Sequence, residues 1–226
     1  MAEMSRTRLA SQSVVACALL LAGCSGGSTP TVVQGDISRL VDVKASFGPE
    51  FTVNTVAPTG IDPRLLAPQA LPQGVTFDPA DCGKFATGLA LPPGLKGNMA
   101  AVTAEGAGNR FIAIAVETSE ELPFPDPGPD CQKVAFAGPG ARGLVEVAES
   151  PTIDGAKTLG THRFVQTAVN GKPASGELYN YVASFGSFTV IVTANPLVLP
   201  NVPVQKVDTQ RARDLLSAAV KDVRGS

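Results

Sequence analysis

The sequence contains no tryptophan, only two tyrosines and a single histidine among its 226 residues. The chain can therefore supply only one imidazole as a metal ligand or as a general base. Lysine and arginine total 18 against 20 aspartates and glutamates, and these basic residues form no run. Proteins that bind nucleic acid usually carry a basic run or patch, so we expect no nucleic-acid partner.

Long hydrophobic runs are also scarce, and the N-terminal one, residues 14–22, is only nine residues long. A helix needs about 20 apolar residues to cross the hydrocarbon core of a bilayer, so this run is too short for a stable span. Arg6 and Arg8 precede it, an arrangement typical of a secretory signal. The sequence therefore predicts export.

The run ends in Leu21-Ala22-Gly23-Cys24, which resembles the lipobox of bacterial lipoproteins. This resemblance implies that residues 1–23 are a signal peptide and that the Cys24 sulfur carries a diacylglycerol. The competing interpretation is a conventional signal-peptidase site with an incidental thiol at Cys24. Residues 24–35 have the small polar composition of a flexible tether. We expect anchoring, through acylated Cys24, to the outer face of the cytoplasmic membrane.

The remaining residues, 36–226, have the length of one ordinary domain. Hydrophobic residues make up 44% of the chain, which predicts a folded domain although glycine (23) and proline (19) are abundant. Without Cys17 in the signal peptide and Cys24 at the anchor, Cys82 and Cys131 remain. In an exported protein they are expected to form a disulfide. Zinc ligation is the alternative, and it would require further ligands beyond the lone His162.

Several segments have strand-like patterns. Residues 98–105 and 111–118 flank a glycine-containing connection, and residues 142–149 form another short candidate strand. Residues 161–169 and 174–185 surround Asn170-Gly171, which is the strongest sequence signal for a two-residue hairpin turn. The β-branched residues of 187–194 favour a further strand.

Helical signals are fewer. Asp78 followed by Pro79 suggests an N-cap and first-turn pair that opens a short helix through Cys82. A clearer helix follows Asp208 or Thr209 as cap, and its apolar residues recur at steps of three and four: Ala212, Leu215, Leu216, Ala219, Val220 and Val223. Residues 36–58 fit neither period, although residues 51–56 have the composition of an edge strand that Pro58 ends.

Candidate catalytic residues are few. A serine hydrolase needs a histidine base beside its nucleophile, and no G-x-S-x-G elbow surrounds any serine. His162, at the start of a predicted strand, is therefore expected to be a surface residue, and no catalytic residue is assigned. Pairs of aspartates, such as Asp126 with Asp130, favour turns over calcium binding. We expect no cofactor and no metal.

The aromatic residues supply one candidate binding site. Tyr179, Tyr181 and Phe185 share a parity, so on a regular strand their rings face the same side of the sheet. Phenol rings combine an apolar face with a polar edge suited to a lipid or a glycan. The alternative is that these rings simply pack beneath the terminal helix.

Together these features resemble the small cell-envelope lipoproteins of mycobacteria and related actinobacteria, whose domain is similar to the extracellular sensor domain of a mycobacterial serine/threonine kinase. The resemblance depends on the lipobox, on residues 77–82 ("FDPADC"), on Cys131, on the strands around Asn170-Gly171 and on the terminal helix. It implies an α+β fold: a twisted antiparallel sheet of about five to seven strands with helices on one face, including the C-terminal amphipathic helix. The kinase domain has two disulfides, whereas this chain has cysteines for one.

The resemblance also implies a cleft and no enzymatic role. The resulting hypothesis is a non-catalytic envelope protein that binds a small or lipidic ligand, a glycan or a partner protein through a sheet-and-helix cleft. The alternatives are an exported hydrolase that uses His162 and a purely structural scaffold for other envelope proteins.

Overall fold

The structure is a computed structural model that describes residues 34–62, 71, 73–88, 92, 94–169 and 172–225. The predicted signal peptide, Cys24 and the Asn170-Gly171 turn lie outside these residues. Nine strands are described, with these bounds: β1 Phe51–Gly60, β2 Thr76–Asp78, β3 Gly97–Gly106, β4 Asn109–Thr118, β5 Lys133–Gly138, β6 Ala141–Ala148, β7 Lys157–Val169, β8 Lys172–Phe185 and β9 Phe188–Pro196.

All nine strands belong to one sheet, in the order β1-β3-β4-β9-β8-β7-β6-β5-β2. Every neighbouring pair is antiparallel. The α+β class and the antiparallel sheet are therefore confirmed, with more strands than the predicted five to seven. The paired strands predicted from residues 98–118 and 161–185 are present as β3–β4 and β7–β8.

The segment 36–58 begins with a 3-10 helix, η1, at Ile37–Ser46. Its buried residues are Ile37, Leu40 and Val43, which follow one another at steps of three. A 3-10 helix has three residues per turn, so one face of it repeats every third residue. This repeat explains why the sequence matches neither the strand period of two nor the α-helical period of 3.6.

Strand β1 is an edge strand, as predicted, but Pro58 does not end it. The strand continues to Gly60, and its pairing with β3 shifts register between Val56 and Thr59. Proline cannot donate a hydrogen bond to a sheet ladder, so it is tolerated at edges and irregularities. The register shift at the open edge provides such a position for Pro58.

The C-terminal helix α2, Thr209–Arg224, confirms the clearest helical prediction. Asp208 is its N-cap, and its carboxylate accepts a hydrogen bond from the Arg211 backbone N–H. All six residues of the predicted apolar face are buried. Together with η1, this face covers one side of the sheet, here called the helix face, where it packs on residues that include Phe111, Tyr181, Ala183, Phe185, Val190 and Val192.

The opposite side, here called the cleft face, is also apolar. Leu159 pairs with Val182, and Val182 pairs with Ile191, so these three side chains point away from α2. The helical turn Ala80–Cys82 and the short helix α1, Gly83–Thr87, lie on this side. Phe85 and Ala86 of α1 pack with residues of the sheet that include Val134, Val145 and Leu159.

The predicted N-terminal end of this short helix is wrong by one residue. Asp78 is the last residue of β2, where it pairs with Ala135, and the residue that precedes the helical turn is Pro79. Pro79 supplies no side-chain cap. Pairing with β5 therefore takes Asp78 away from the capping role that its position before a proline suggested.

The predicted disulfide is present: Cys82 is bonded to Cys131, with a Cα–Cα distance of 5.5 Å. It joins the start of α1 to the end of the proline-rich loop at residues 122–130. Among the described residues no cluster of three or more metal-ligating side chains is found.

Removing the disulfide should destabilise the domain. The bond closes a loop across a sequence separation of 49, for which chain entropy alone gives about 4 kcal/mol. We expect the double variant Cys82→Ala, Cys131→Ala to lose free energy of unfolding of this order in urea denaturation. The reduced wild-type protein is the control and should match the variant. A loss below about 1 kcal/mol would contradict the prediction.

Replacing Leu40 by alanine should test the contribution of η1. Its side chain is fully buried between η1 and the helix face, so the cavity is expected to cost about 2–5 kcal/mol of unfolding free energy. Lys44→Ala, an exposed change on the same helix, is the matched control and should stay within about 0.5 kcal/mol of wild type. Equal effects for the two variants would show that η1 does not cover the core.

Candidate functional site

The candidate site is a cleft between the cleft face of the sheet and two segments that lie over it. One segment is α1, and the other is the loop of residues 122–130. The disulfide between Cys82 and Cys131 ties the two segments together. Phe124 of the loop is half-buried against the apolar clusters of this face. The cleft therefore has a sheet as its floor and a disulfide-linked cover.

The inner part of the cleft is a small chamber of about 20 Å³, the space of roughly one water molecule. Its walls are mostly apolar. The lining residues are Phe85, Ala86, Gly88, Pro125, Val145, Leu159, Thr161, Arg163, Leu178, Asn180 and Val182.

Arg163, on β7, brings a positive charge to the floor of this chamber. Its Nη2 donates a hydrogen bond to the backbone oxygen of Ala86, 3.1 Å away, so the guanidinium connects the sheet with α1. Burial lowers the pKa of the Arg163 guanidinium from its usual value. An arginine whose pKa is lowered by burial retains its charge at neutral pH, because its ordinary value is so high.

Asn180, on β8, is the second polar group of the floor. Its side-chain Oδ1 is buried and has no hydrogen-bond partner among the described residues. Buried polar atoms in native proteins are almost always paired, with protein, water or a ligand. The Asn180 oxygen is thus an acceptor that a bound hydroxyl or amide, or an ordered water, would satisfy.

An open groove of about 470 Å³ lies outside the chamber. Both share Phe85, Gly88 and Pro125, so the groove leads towards the chamber. Lys84, Thr87 and Asp126 add polar groups at its rim. The Asp126 carboxylate accepts a hydrogen bond from the Gly128 N–H, which is the turn-forming role expected from the sequence. The groove has the volume of a typical small-molecule site.

The predicted aromatic site lies on the other side of the sheet. Tyr179, Tyr181 and Phe185 do share a face, but that face is covered by α2. Tyr181 and Phe185 are 0% and 3% exposed. This arrangement matches the alternative in which the rings pack beneath the terminal helix. Ligand binding by these residues stays a prediction, for which only Tyr179 is accessible in the described structure.

Tyr179 stacks on His162, with ring centroids 4.3 Å apart. The His162 imidazole also lies 3.2 Å from a Glu177 carboxylate oxygen and 3.9 Å from one of Glu146. Burial, together with these two carboxylates, raises the pKa of the Tyr179 phenol. The hydrolase hypothesis requires a hydroxyl nucleophile beside the imidazole, whereas the contacts found for His162 within the described residues are carboxylates and a phenol ring.

Sequence reasoning missed Arg163 and Asn180. A signal was present for Arg163, because it occupies the strand parity of Leu159 and Val165, two apolar residues that turn out to face the cleft. An arginine that alternates with apolar residues along a strand indicates a polar group on a buried face of the sheet. Asn180 carried the same signal, because it alternates with Leu178 and Val182 on β8, but the cover that buries it, α1 and the loop, is distant in sequence.

Within the described residues, no helix combines the length and apolar character that a membrane span requires. A search of the curated proteins gave no match. The extracellular domain of PknH from Mycobacterium tuberculosis aligns with 86% of this chain and 94% of its own at 11% identity, but the TM-score of 0.39 is too low to support any inference about function.

A much stronger similarity connects the chain to a crystal structure of an uncharacterized Mycobacterium smegmatis protein, described as the ortholog of Rv0999. The two are 64% identical with a TM-score of 0.79, and the alignment covers 84% of this chain and 98% of that one. This relative confirms the mycobacterial resemblance seen in the sequence. The model of the family described as Domain of unknown function (DUF5642) matches residues 36–224, and the chain belongs to this family.

Proposed function

We propose that this protein is an exported, non-catalytic envelope protein that binds a small amphiphilic ligand in the cleft under α1 and the loop of residues 122–130. The observation that carries the proposal is that the charged Arg163 and the buried side-chain oxygen of Asn180 both line the floor of a mostly apolar chamber. Pockets of this kind use apolar walls for affinity and a few polar groups for orientation.

The polar groups suggest which part of a ligand faces inwards. A carboxylate or phosphate would pair with the Arg163 guanidinium, and a neighbouring hydroxyl or amide N–H would donate to Asn180. The chamber has room for only about one water, so a ligand would place its polar end there and its apolar part in the outer groove. A small movement of the disulfide-linked cover would admit that polar end.

Export is supported by the Cys82–Cys131 bond, because stable disulfides are formed in oxidising compartments and are rare in the cytosol. We infer that residues 1–23 direct export, that Cys24 is acylated, and that residues 24–35 tether a single domain of residues 36–226 to the outer face of the cytoplasmic membrane. Such an anchor would keep the cleft close to lipids and to other envelope components.

Substitution of Arg163 should abolish ligand binding. The test compares native with denaturing mass spectra of mature protein purified from its own membranes, which reveal any species lost on denaturation. We expect wild type to carry such a species, and Arg163→Leu to lose most of it because the charged contact is gone. Arg142→Leu is the matched control, since Arg142 is an exposed arginine on the adjacent strand β6.

A second variant separates binding from folding. Asn180→Ala removes an oxygen that has no hydrogen-bond partner in the described structure, so it should weaken binding without lowering the melting temperature. Unchanged occupancy in both Arg163→Leu and Asn180→Ala would contradict the proposed site. A wild-type protein with no bound species would favour the alternative of a partner protein.

Replacing the proposed acylated cysteine should release the protein from the membrane. Two acyl chains anchor stably because each buried methylene contributes about 0.8 kcal/mol. We expect wild type in the membrane fraction, with a mass increased by the lipid, whereas Cys24→Ala should carry no lipid mass. An unmodified Cys24 in the wild-type protein would show that this anchor is absent.

A further inference from the structure

The connection between β9 and α2 carries an unusual concentration of exposed aliphatic side chains. Six large hydrophobic residues are exposed in the described part of the chain, and four of them lie within residues 198–204. Their exposed fractions are 75% for Val198, 49% for Leu199, 50% for Val202 and 56% for Val204. Exposed apolar residues scattered singly are normal, whereas a local cluster indicates an interaction surface.

Backbone hydrogen bonds hold this aliphatic loop, residues 197–205, in place. The Leu197 N–H donates to the Gly108 oxygen at 2.9 Å, and the Val202 N–H donates to the Leu199 oxygen at 3.3 Å. Pro200 and Pro203 further restrict the chain within it. A restricted loop loses little conformational entropy when its side chains are buried by a partner.

The chemistry of the loop fits a lipid surface. From residue 195 to residue 207 the sequence contains no acidic and no aromatic residue, and its only charge is the exposed Lys206. An anionic bilayer attracts lysine and accepts aliphatic side chains below its headgroups. Protein interfaces depend more on tyrosine, tryptophan and arginine, and residues 195–207 contain none of these.

The position of the loop is compatible with a bilayer contact. The loop leads into the N-terminal end of α2. At the other end of that helix, the Asp36 N–H donates a hydrogen bond to the Val223 backbone oxygen. The 16 residues of α2 span about 24 Å. Residues 24–34 reach at most about 35 Å when fully extended. The reach of the tether exceeds the length of α2, so an acyl group on Cys24 and the loop can contact the same bilayer.

We propose that the aliphatic loop inserts Val198 and Leu199 into the surface of an anionic bilayer, as a second contact beside the acyl anchor of the proposed function on which this inference rests. Because the acyl group already holds the domain at the membrane, the loop is present at a high effective concentration beside the bilayer, and even a weak insertion is favoured. The loop then fixes the orientation of the domain, which a flexible tether alone leaves free.

The experiment uses mature, acylated protein reconstituted into vesicles of phosphatidylcholine and phosphatidylglycerol. With Cys24 acylated and Cys82 bonded to Cys131, a Val198→Cys substitution would give the only reactive thiol of the mature chain, to which a polarity-sensitive fluorophore is attached. The matched control is the same label at Thr55→Cys, an exposed position on the edge strand β1. Flotation of the vesicles reports anchoring separately from loop insertion.

We expect the label at position 198 to shift its emission to the blue with vesicles and to be quenched by nitroxide groups on the lipid chains, while the label at position 55 does neither. Adding Leu199→Asp and Val202→Asp should remove the shift and leave flotation intact. Floating protein whose label at 198 remains water-exposed would overturn the inference but not the anchor.

A blue shift that lipid-borne nitroxides do not quench would indicate that the loop binds protein, either a second copy or a partner, and would also overturn the inference. Protein that fails to float would overturn both the anchor and the insertion. Melting temperatures of all labelled variants should equal that of wild type, because the substituted side chains are exposed.

Discussion

The central strands β4, β9 and β8 are apolar on both faces, and the need to bury both determines the rest of the architecture. On the helix face, α2 and η1 together cover the sheet with long, regularly spaced rows of buried side chains. On the cleft face, the described cover consists of a five-residue helix and a proline-rich loop. Short elements bury less area each, and the covalent bond between Cys82 and Cys131 offsets that weakness.

This asymmetry explains why the cleft lies where it does. The 16-residue helix α2 contributes six buried side chains to its face of the sheet, and Tyr181 and Phe185 beneath it are buried. The disulfide-linked cover, by contrast, leaves a chamber and a groove, and two polar groups of the sheet extend towards them. Short, loop-rich segments are also the ones that open most easily, since few buried contacts hold them. The helix face and the cleft face are thus separated by the thickness of one sheet.

Sequence reasoning was most successful where structure is determined locally. The cap and the apolar spacing of α2, the alternation in β7 and β8, and the cysteine pair all follow from nearby residues or from counting. It failed where strand pairing decides the outcome. Strand β5 was not recognised in the sequence, so the pairing of Asp78 with it was missed. The end predicted for β1 at Pro58 was wrong because the open edge of the sheet tolerates a proline. In η1 the local pattern was present, but its period of three belongs to a rare kind of helix.

The site itself follows from strand alternation once the core is known. On β8, Tyr179 and Tyr181 face the helices, so Leu178, Asn180 and Val182 must face the cleft. Alternation along the strand places the aromatic residues on one face of the sheet. Which face packs beneath a helix depends on the tertiary structure and cannot be read from the strand alone. A one-residue shift in the register of β8 would put the Asn180 amide in the place of the buried Tyr181 phenol, which would disrupt both the core and the candidate site. The burial of Tyr181 under α2 therefore fixes the direction in which Asn180 points, and packing on the helix face keeps the cleft face in register.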